Sequence, residues 1–329
     1  MKLSRREVLS TAISVATASA MPWVARADTY PSKPIRVIVP YGPGNGLDVN
    51  ARIFTALFSE KYKTNIFVEN RDGAGGLIGT VAAAKTPPDG YTLMFCSAAL
   101  TYTQLLQEEV SYDPVRDFKA VIGAGVNPLV LVTANDAPYK TFKELIAYMK
   151  ANPGRTNYAT SGKGTASHLE TSLLAQHYQL NAVDIPYKTF AAAVTDTIAG
   201  RVGFFLSSPP GLMPHIKANS VRALAMGTLK RSPHLPDVPT FAEELGIPDY
   251  VVDVWNGFVA PAGTPDNIVA AFYEKAKAVL EMPEFREKIE ASSSQVVIRQ
   301  PAEFGELIRK DTLKWTKVME SLGLKALKT

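Results

Sequence analysis

Glycines recur in this chain at three places where a strand-like run gives way to a helix-like one. These are Tyr41-Gly42-Pro43-Gly44-Asn45-Gly46, Asp72-Gly73-Ala74-Gly75-Gly76 and Ser161-Gly162-Lys163-Gly164. The chemistry open to such a loop is anion binding. The first N–H groups of a helix have no partner within it, and the aligned peptide dipoles place partial positive charge there, worth ~0.3–1 kcal/mol per negative charge. Glycine allows close backbone approach and positive φ. The hydroxyls of Ser161 and Thr165 add donors to the third loop. A carboxylate or a phosphate suits such a site. Turn chemistry alone accounts for any one of these loops, and it is their recurrence that favours the anion-site reading.

Signatures of catalysis and metal binding are missing. There is no Gly-x-Ser-x-Gly elbow and no His-Glu-x-x-His pair, and His168, His177, His215 and His234 lack metal-ligand spacing. No catalytic residue, metal or cofactor is therefore expected. Gly42-x-Gly44-x-Gly46 departs from the dinucleotide fingerprint, and Gly162-Lys163-Gly164-Thr165 lacks the upstream glycine and the Lys-Thr adjacency of a P-loop. His168 falls in the first turn after the third loop and reads as a structural histidine before a ligand contact. Asp48 and Arg52, four residues apart, are expected to order their helix. Tyr41, Phe205 and Trp255 are candidates for either cleft or core. Cys96 ends the apolar run Thr92-Leu93-Met94-Phe95-Cys96 and is expected to be buried and inert.

The loops need strands and helices to hold them, and hydrophobic periodicity supplies both. Strands are expected at 35–39, 65–69, 91–96, 129–132, 156–160, 182–186, 202–206, 222–226 and 254–260, from β-branched and aromatic runs bounded by Gly, Pro or Asn. Helices are expected at 47–62, 78–84, 141–150, 165–178, 191–200, 265–282 and from 301 or 302 to about 322. Thr141 followed by Glu144 reads as a capping box. Alternating strands and helices argue for mostly parallel sheets covered by helices. No low-complexity linker divides the chain, so two lobes sharing crossing segments, with a ligand cleft between them, are expected.

Length and charge narrow the class further. A chain of 329 residues suggests two domains, and 46% hydrophobic with 20% charged residues is the composition of a soluble globular protein. The first 27 residues read as a targeting segment. Ser4-Arg5-Arg6-Glu7-Val8-Leu9 fits a twin-arginine pattern, Leu9 to Ala20 is an apolar stretch too short to span a bilayer, and Ala25-Arg26-Ala27 offers a cleavage site. A general secretory signal is the alternative, and either route places the mature protein outside the cytoplasm. With the segment go four basic residues and one acid, so the formal net charge of +4 falls by three, to +1. Nucleic-acid binding loses its compositional support. The single cysteine leaves no disulfide to form within the chain.

Several segments together resemble a known family. They are Tyr30-Pro31-Ser32-Lys33-Pro34-Ile35-Arg36, Pro43-Gly44-Asn45-Gly46-Leu47-Asp48 with Ala51-Arg52, Glu69-Asn70-Arg71-Asp72-Gly73-Ala74-Gly75-Gly76-Leu77-Ile78-Gly79, Pro88-Asp89-Gly90-Tyr91-Thr92-Leu93, Pro186-Tyr187-Lys188, Leu235-Pro236-Asp237-Val238-Pro239-Thr240, and Trp255-Asn256-Gly257-Phe258-Val259-Ala260-Pro261-Ala262-Gly263-Thr264-Pro265. The chain resembles the extracytoplasmic solute receptors of tripartite tricarboxylate transporters, also called Bordetella uptake gene receptors. The resemblance implies an α/β type II periplasmic-binding-protein fold. One lobe would comprise residues 28–125 and 256–329, the other residues 126–255. It further implies a periplasmic, monomeric, non-enzymatic receptor that passes a small carboxylate to membrane transporter subunits. Tyr41, Gly42, Asn45 and Gly46 of the first loop and Thr160, Ser161, Gly164 and Thr165 of the opposite loop would hold the carboxylate through main-chain amides and ordered water. Ser97, Tyr187 and Ser207 would line the rest of the cleft. The pattern breaks at Asn45, where a second glycine is usual, at Thr165 in place of serine, and at Thr189 in place of glycine. An exported enzyme and a sensory receptor are the alternative readings of the same fold.

Overall fold

The computed structural model describes residues 30–106, 112–162, 165–248 and 250–321. The expected targeting segment and its cleavage site after Ala27 lie outside the described residues, as does Gly164. In chain order the elements are β1 (Ile35–Val39), α1 (Gly46–Tyr62), β2 (Ile66–Asn70), α2 (Leu77–Ala84), β3 (Thr92–Ser97), β4 (Phe118–Pro128) and β5 (Val130–Ala134). There follow α3 (Phe142–Ala151), β6 (Thr156–Thr160), α4 (Ala166–Tyr178), β7 (Ala182–Pro186), α5 (Phe190–Ile198), β8 (Phe204–Ser207), α6 (Pro209–Lys217) and β9 (Val221–Met226). The chain continues through α7 (Phe241–Leu245), β10 (Asp253–Pro261), α8 (Asp266–Leu280), α9 (Pro283–Glu290), β11 (Gln295–Arg299) and α10 (Pro301–Ser321).

The strands form two sheets, ordered β11-β4-β10-β3-β1-β2 and β7-β6-β8-β5-β9. Both are mixed, not mostly parallel. β1 lies parallel to β2 and β3, and β6 parallel to β7 and β8. β10 runs antiparallel to β3 and β4, β11 to β4, and β5 to β8 and β9. The antiparallel strands are those that carry the chain from one sheet to the other or return beside them. Short βα units impose parallel neighbours; a crossing strand has no such constraint.

Burial explains why β1 reads as an unbroken apolar run: Ile35, Val37, Ile38 and Val39 are all buried, as a strand with helices on both faces requires. An aromatic cluster seats α1 on this sheet. The Phe54 ring lies 4.6 Å from Phe258 and the Phe58 ring 5.7 Å from Phe272 on α8. The second sheet packs Val130, Val132, Ala159 and Phe205 against Phe190, Val194 and Leu212 of α5 and α6. These contacts hold the start of each helix over the end of the strand before it.

The sheets are joined by two crossings that bond to each other. Leu129 N donates to Val252 O at 2.7 Å, Gly227 N to Leu129 O at 2.7 Å, and Val252 N to Gly227 O at 3.1 Å. Position 227 admits only glycine, because a Cβ there would collide with the Val252 carbonyl oxygen. Residues 33–329 form one compact unit in which both sheets take part.

At α3 the expected capping box is half made. Thr141 Oγ1 accepts from Glu144 N, while the Glu144 carboxylate accepts from Lys140 N at 2.6 Å rather than from Thr141 N. A complete box opens α7, where Thr240 and Glu243 exchange both bonds. Among the described residues no helix is long and apolar enough to cross a membrane.

Candidate functional site

The first glycine loop delivers the N-terminus of α1. Asn45 caps it, with Oδ1 accepting from Leu47 N at 2.9 Å. Asp48, buried in the first turn, accepts from Gly44 N at 2.9 Å, from Asn70 Nδ2 at 2.8 Å and from Arg52 Nε at 3.0 Å. The Asp48–Arg52 pair forms within the helix, as expected, and Asp48 also ties down the loop, which removes the Gly44 amide from the donors open to a ligand. The Gly46 and Asp48 amides have no partner among the described residues, and the Asn45 carboxamide keeps its Nδ2 donor.

The third loop delivers α4. Thr165 is its N-cap but makes no capping bond; its hydroxyl donates to Gly162 O at 2.7 Å and lies 2.9 Å from Ser167 Oγ. Ser161 N donates to Ser167 Oγ, and Gly162 N to Thr160 Oγ1. The amides of Ala166 and Ser167 are without partners among the described residues.

A third helix start joins these two, and sequence reasoning missed it. β8 ends in Ser207, and α6 opens after Ser208 with Pro209 and Pro210. A serine followed by proline at the first helical position is a start signal in its own right. It is masked here because Pro210 and Pro214 spoil the apolar periodicity. The two prolines remove two amide donors, so α6 contributes its dipole and the hydroxyls of Ser207 and Ser208. α6 abuts α1 across the two sheets. A Cβ at Gly46 would strike Ser208 Oγ, and one at Gly211 would come within 2.8 Å of Gly44 O.

The three helix starts converge on a cavity of about 50 Å³. That is room for about three water-sized groups at ~15 Å³ each, the heavy-atom count of a carboxylate. Tyr41, Asn45, Ser97, Ser161, Thr165 and Ser207 line it, six of the residues the sequence singles out. Asn127, Ser167 and Ser208 line it too and were not foreseen. Asn127 reaches the site from β4, and its Oδ1 accepts from Asn50 Nδ2 at 3.1 Å, which leaves its own Nδ2 as a donor. No side chain charged at neutral pH lines the cavity among the described residues; burial pushes the Tyr41 hydroxyl up to about 12.

The other sequence candidates stand apart from the lining. Thr160 is fully buried and donates to Asp184 Oδ1 at 2.7 Å, holding the base of the third loop. Tyr187 donates to Asp196 Oδ2 at 2.7 Å, and desolvation together with that carboxylate raises its hydroxyl to about 12. Gly42 packs where a Cβ would meet Asp72 Oδ2 at 2.8 Å, and Gly46 faces Ser208 as described. Gly164 lies outside the described residues. Phe205 is core, and Trp255 borders a second cavity. Cys96 is buried, with Sγ 3.4 Å from Gly257 O, and burial raises its thiol far above the ordinary range. No cluster of metal-ligating side chains occurs among the described residues.

The second cavity, about 190 Å³, shares Ala166 and Val254 with the first and extends along α4 toward α10. A wider groove of about 710 Å³ runs between residues 227–234 and 290–296. It has the larger volume, yet no helix of eight residues or more starts in it. Its Arg231 is already paired with Glu243 at 3.0 Å. Volume alone does not recognise an anion, so the smaller cavity is the candidate site.

The chain is also similar to known proteins over most of its length. Residues 51–324 match the model of the tripartite tricarboxylate transporter family receptor. The chain is 36% identical over 301 residues to the protein BugT of Bordetella pertussis, covering 91% of this chain and 92% of that one. Among solved structures, the periplasmic binding protein BugD is 29% identical, covers 90% of this chain and 99% of its own, and superposes with a TM-score of 0.85. A Rhodopseudomonas palustris protein with adipate is also 29% identical, with coverage of 89% and 98% and a TM-score of 0.84. MatC from the same organism, with bound malate, is 27% identical, with coverage of 88% and 99% and a TM-score of 0.81. The two mixed sheets joined by crossing strands are thus a type II periplasmic-binding-protein fold.

Proposed function

The chain belongs to the tripartite tricarboxylate transporter receptor family, and from that premise we propose that it captures a small organic acid by docking its carboxylate where α1, α4 and α6 converge. The observation that carries this reading is the cavity itself: three helix N-termini around neutral hydroxyl and amide donors, sized for one carboxylate. Helix dipoles and desolvated donors favour an anion without the desolvation cost of a buried cationic partner. Bound adipate and malate in the two R. palustris relatives support the same class of ligand.

In this reading Tyr41, Asn45, Ser97, Ser161, Thr165 and Ser207 face the carboxylate directly. Gly42, Gly46 and Thr160 shape the loops that present the amides. Tyr187 orders the second sheet beside the cleft. Residues 28–125 with 256–329 act as one lobe and 126–255 as the other, hinged at Leu129, Gly227 and Val252. A solute larger than the cavity enters an open form, and closure is driven by its higher affinity for the closed one. The family is one of periplasmic receptors. We further take residues 1–27 as a twin-arginine leader cleaved after Ala27, and the mature protein as a monomer that returns its solute chemically unchanged to the transporter subunits.

Thermal denaturation of purified mature protein against a panel of mono- and dicarboxylates tests this. A binder at 100 times its Kd adds about 2.7 kcal/mol of stability, several degrees in a protein of this size. At least one acid is expected to raise the melting temperature while the matching amide does not. A panel inert at millimolar concentration, or an amide as effective as its acid, contradicts the reading.

A further inference from the structure

Glu170 is a carboxylate in an unusual place. It lies on α4 four residues beyond Ala166, on the same helix face and ~6 Å further along the axis. Ala166 borders the carboxylate cavity on one side and the 190 Å³ cavity on the other, and Glu170 lines the latter. No hydrogen bond or salt bridge holds the Glu170 carboxyl among the described residues. Enclosure by protein raises it to about 7; Lys314 draws it down and Asp253 pushes it further up.

Two cations share the cavity wall with it, against three acids. Lys314 on α10 is exposed, with Nζ 5.2 Å from the Trp315 ring centroid. Arg299 at the end of β11 also lines the cavity, with Nε 3.9 Å from Glu303 Oε1 and a buried Nη1 that bonds to no group among the described residues. Two further acids line the same space. Asp253 from β10 is itself held above the ordinary carboxylate range, by desolvation first, and Asp311 accepts from Trp255 Nε1 at 2.5 Å. Of the hydroxyls that feel the Glu170 charge, Tyr102 and Tyr250, both are raised chiefly by burial. Trp255, Trp315 and Tyr102 supply aromatic walls, and the Tyr102 and Trp315 rings are 4.8 Å apart. Acidic oxygens and π faces together favour a cation.

We propose that this second cavity receives a positively charged end of the solute, so that the preferred ligand is an amino carboxylic acid with its ammonium ~6 Å from its carboxylate. The proposal rests on the carboxylate reading of the first cavity. An ammonium of that span lies along α4, its carboxylate at the Thr165 end and its nitrogen against Glu170. Binding then draws the Glu170 proton off at pH 7, because a neighbouring cation favours the ionised form.

Calorimetry with 5-aminopentanoate, glutarate and pentanoate at pH 7, in two buffers of different ionisation enthalpy, separates the possibilities. The expected result is that 5-aminopentanoate binds at least about tenfold tighter than glutarate, with net proton release. In Glu170→Gln the ratio of those two affinities is expected to fall by a similar factor. The proton count in the unaltered protein keeps the proposal open to refutation if the variant does not fold. Tighter binding of glutarate with proton uptake overturns it, since the distal end is then an acid. Pentanoate binding with no gain from either distal group overturns the second subsite alone. Failure of all three ligands overturns the carboxylate reading with it.

Discussion

The two adjoining cavities are built from opposite chemistry. The one at the three helix starts is lined by hydroxyls, carboxamides and peptide N–H groups, none of which titrates near neutrality. The one along α4 carries Glu170, Asp253, Asp311, Arg299 and Lys314 within one shared wall. A site that must hold the common feature of many solutes does so with fixed dipoles, whose strength does not change with pH and which need no counter-charge. A site that distinguishes one solute from another can use ionised groups, whose state answers to what is placed beside them. On the proposed reading the carboxylate end is the invariant part of recognition, and the α4 end the part that selects.

Four substitutions break or sharpen that contrast. The largest effect is expected where the two sheets touch. Gly46→Ala drives a methyl group into Ser208, so the start of α1 can no longer close on α6, and affinity for every carboxylate falls about 10- to 100-fold. Calorimetry across several acids checks this; a loss confined to one acid breaks the claim that this cavity serves them all. Next come the hydroxyls. Ser97→Ala and Ser161→Ala each remove one neutral donor, at a cost of about three- to tenfold in affinity, equal for acids with and without a distal charge. A distal-group dependence in either variant erases the boundary between the two cavities.

The smallest effect concerns stability without ligand. The Glu170 carboxyl stands at about 7 in the folded protein against an ordinary 4.5, so between those values the folded state keeps a proton that the unfolded chain has lost. The stability tied to that proton is present at low pH and is lost as pH rises toward 7. Glu170→Gln removes the loss. Its melting temperature at pH 8 is expected to exceed that of the parent by about 2–4 °C, shrinking toward zero by pH 4.5. A difference that ignores pH, or a lower melting point at pH 8, contradicts the assignment.

How much of this was legible beforehand follows from the range of each interaction. β1, β6 and β7 end at the residues expected, because a β-branched run cut by Pro or Gly is a purely local signal. α6 went unseen although Ser208-Pro209-Pro210 announces it, since Pro210 and Pro214 hide the helical period. The single helix expected over 265–282 ends at Leu280, and Pro283 starts α9, because proline sits comfortably in a first turn but not inside a helix. β11 is not expected from the sequence, its alternation being too short to stand out. Six residues that line the candidate cavity were expected from loop spacing and family resemblance. Asn127, Ser167 and Ser208 were not: Asn127 reaches the cavity from a strand that crosses between the sheets, Ser208 belongs to a helix start hidden by prolines, and Ser167 lies past the loop that drew notice.

The measurement closest to the central claim is a crystal structure with 5-bromopentanoate, read by anomalous scattering from bromine. The account predicts carboxylate oxygens within hydrogen-bond distance of Ser97, Ser161 or Thr165 and the Gly46 or Ala166 amides, with the bromine peak in the cavity beside Glu170. A bromine peak in the groove between residues 227–234 and 290–296, or a carboxylate turned away from the three helix starts, contradicts it.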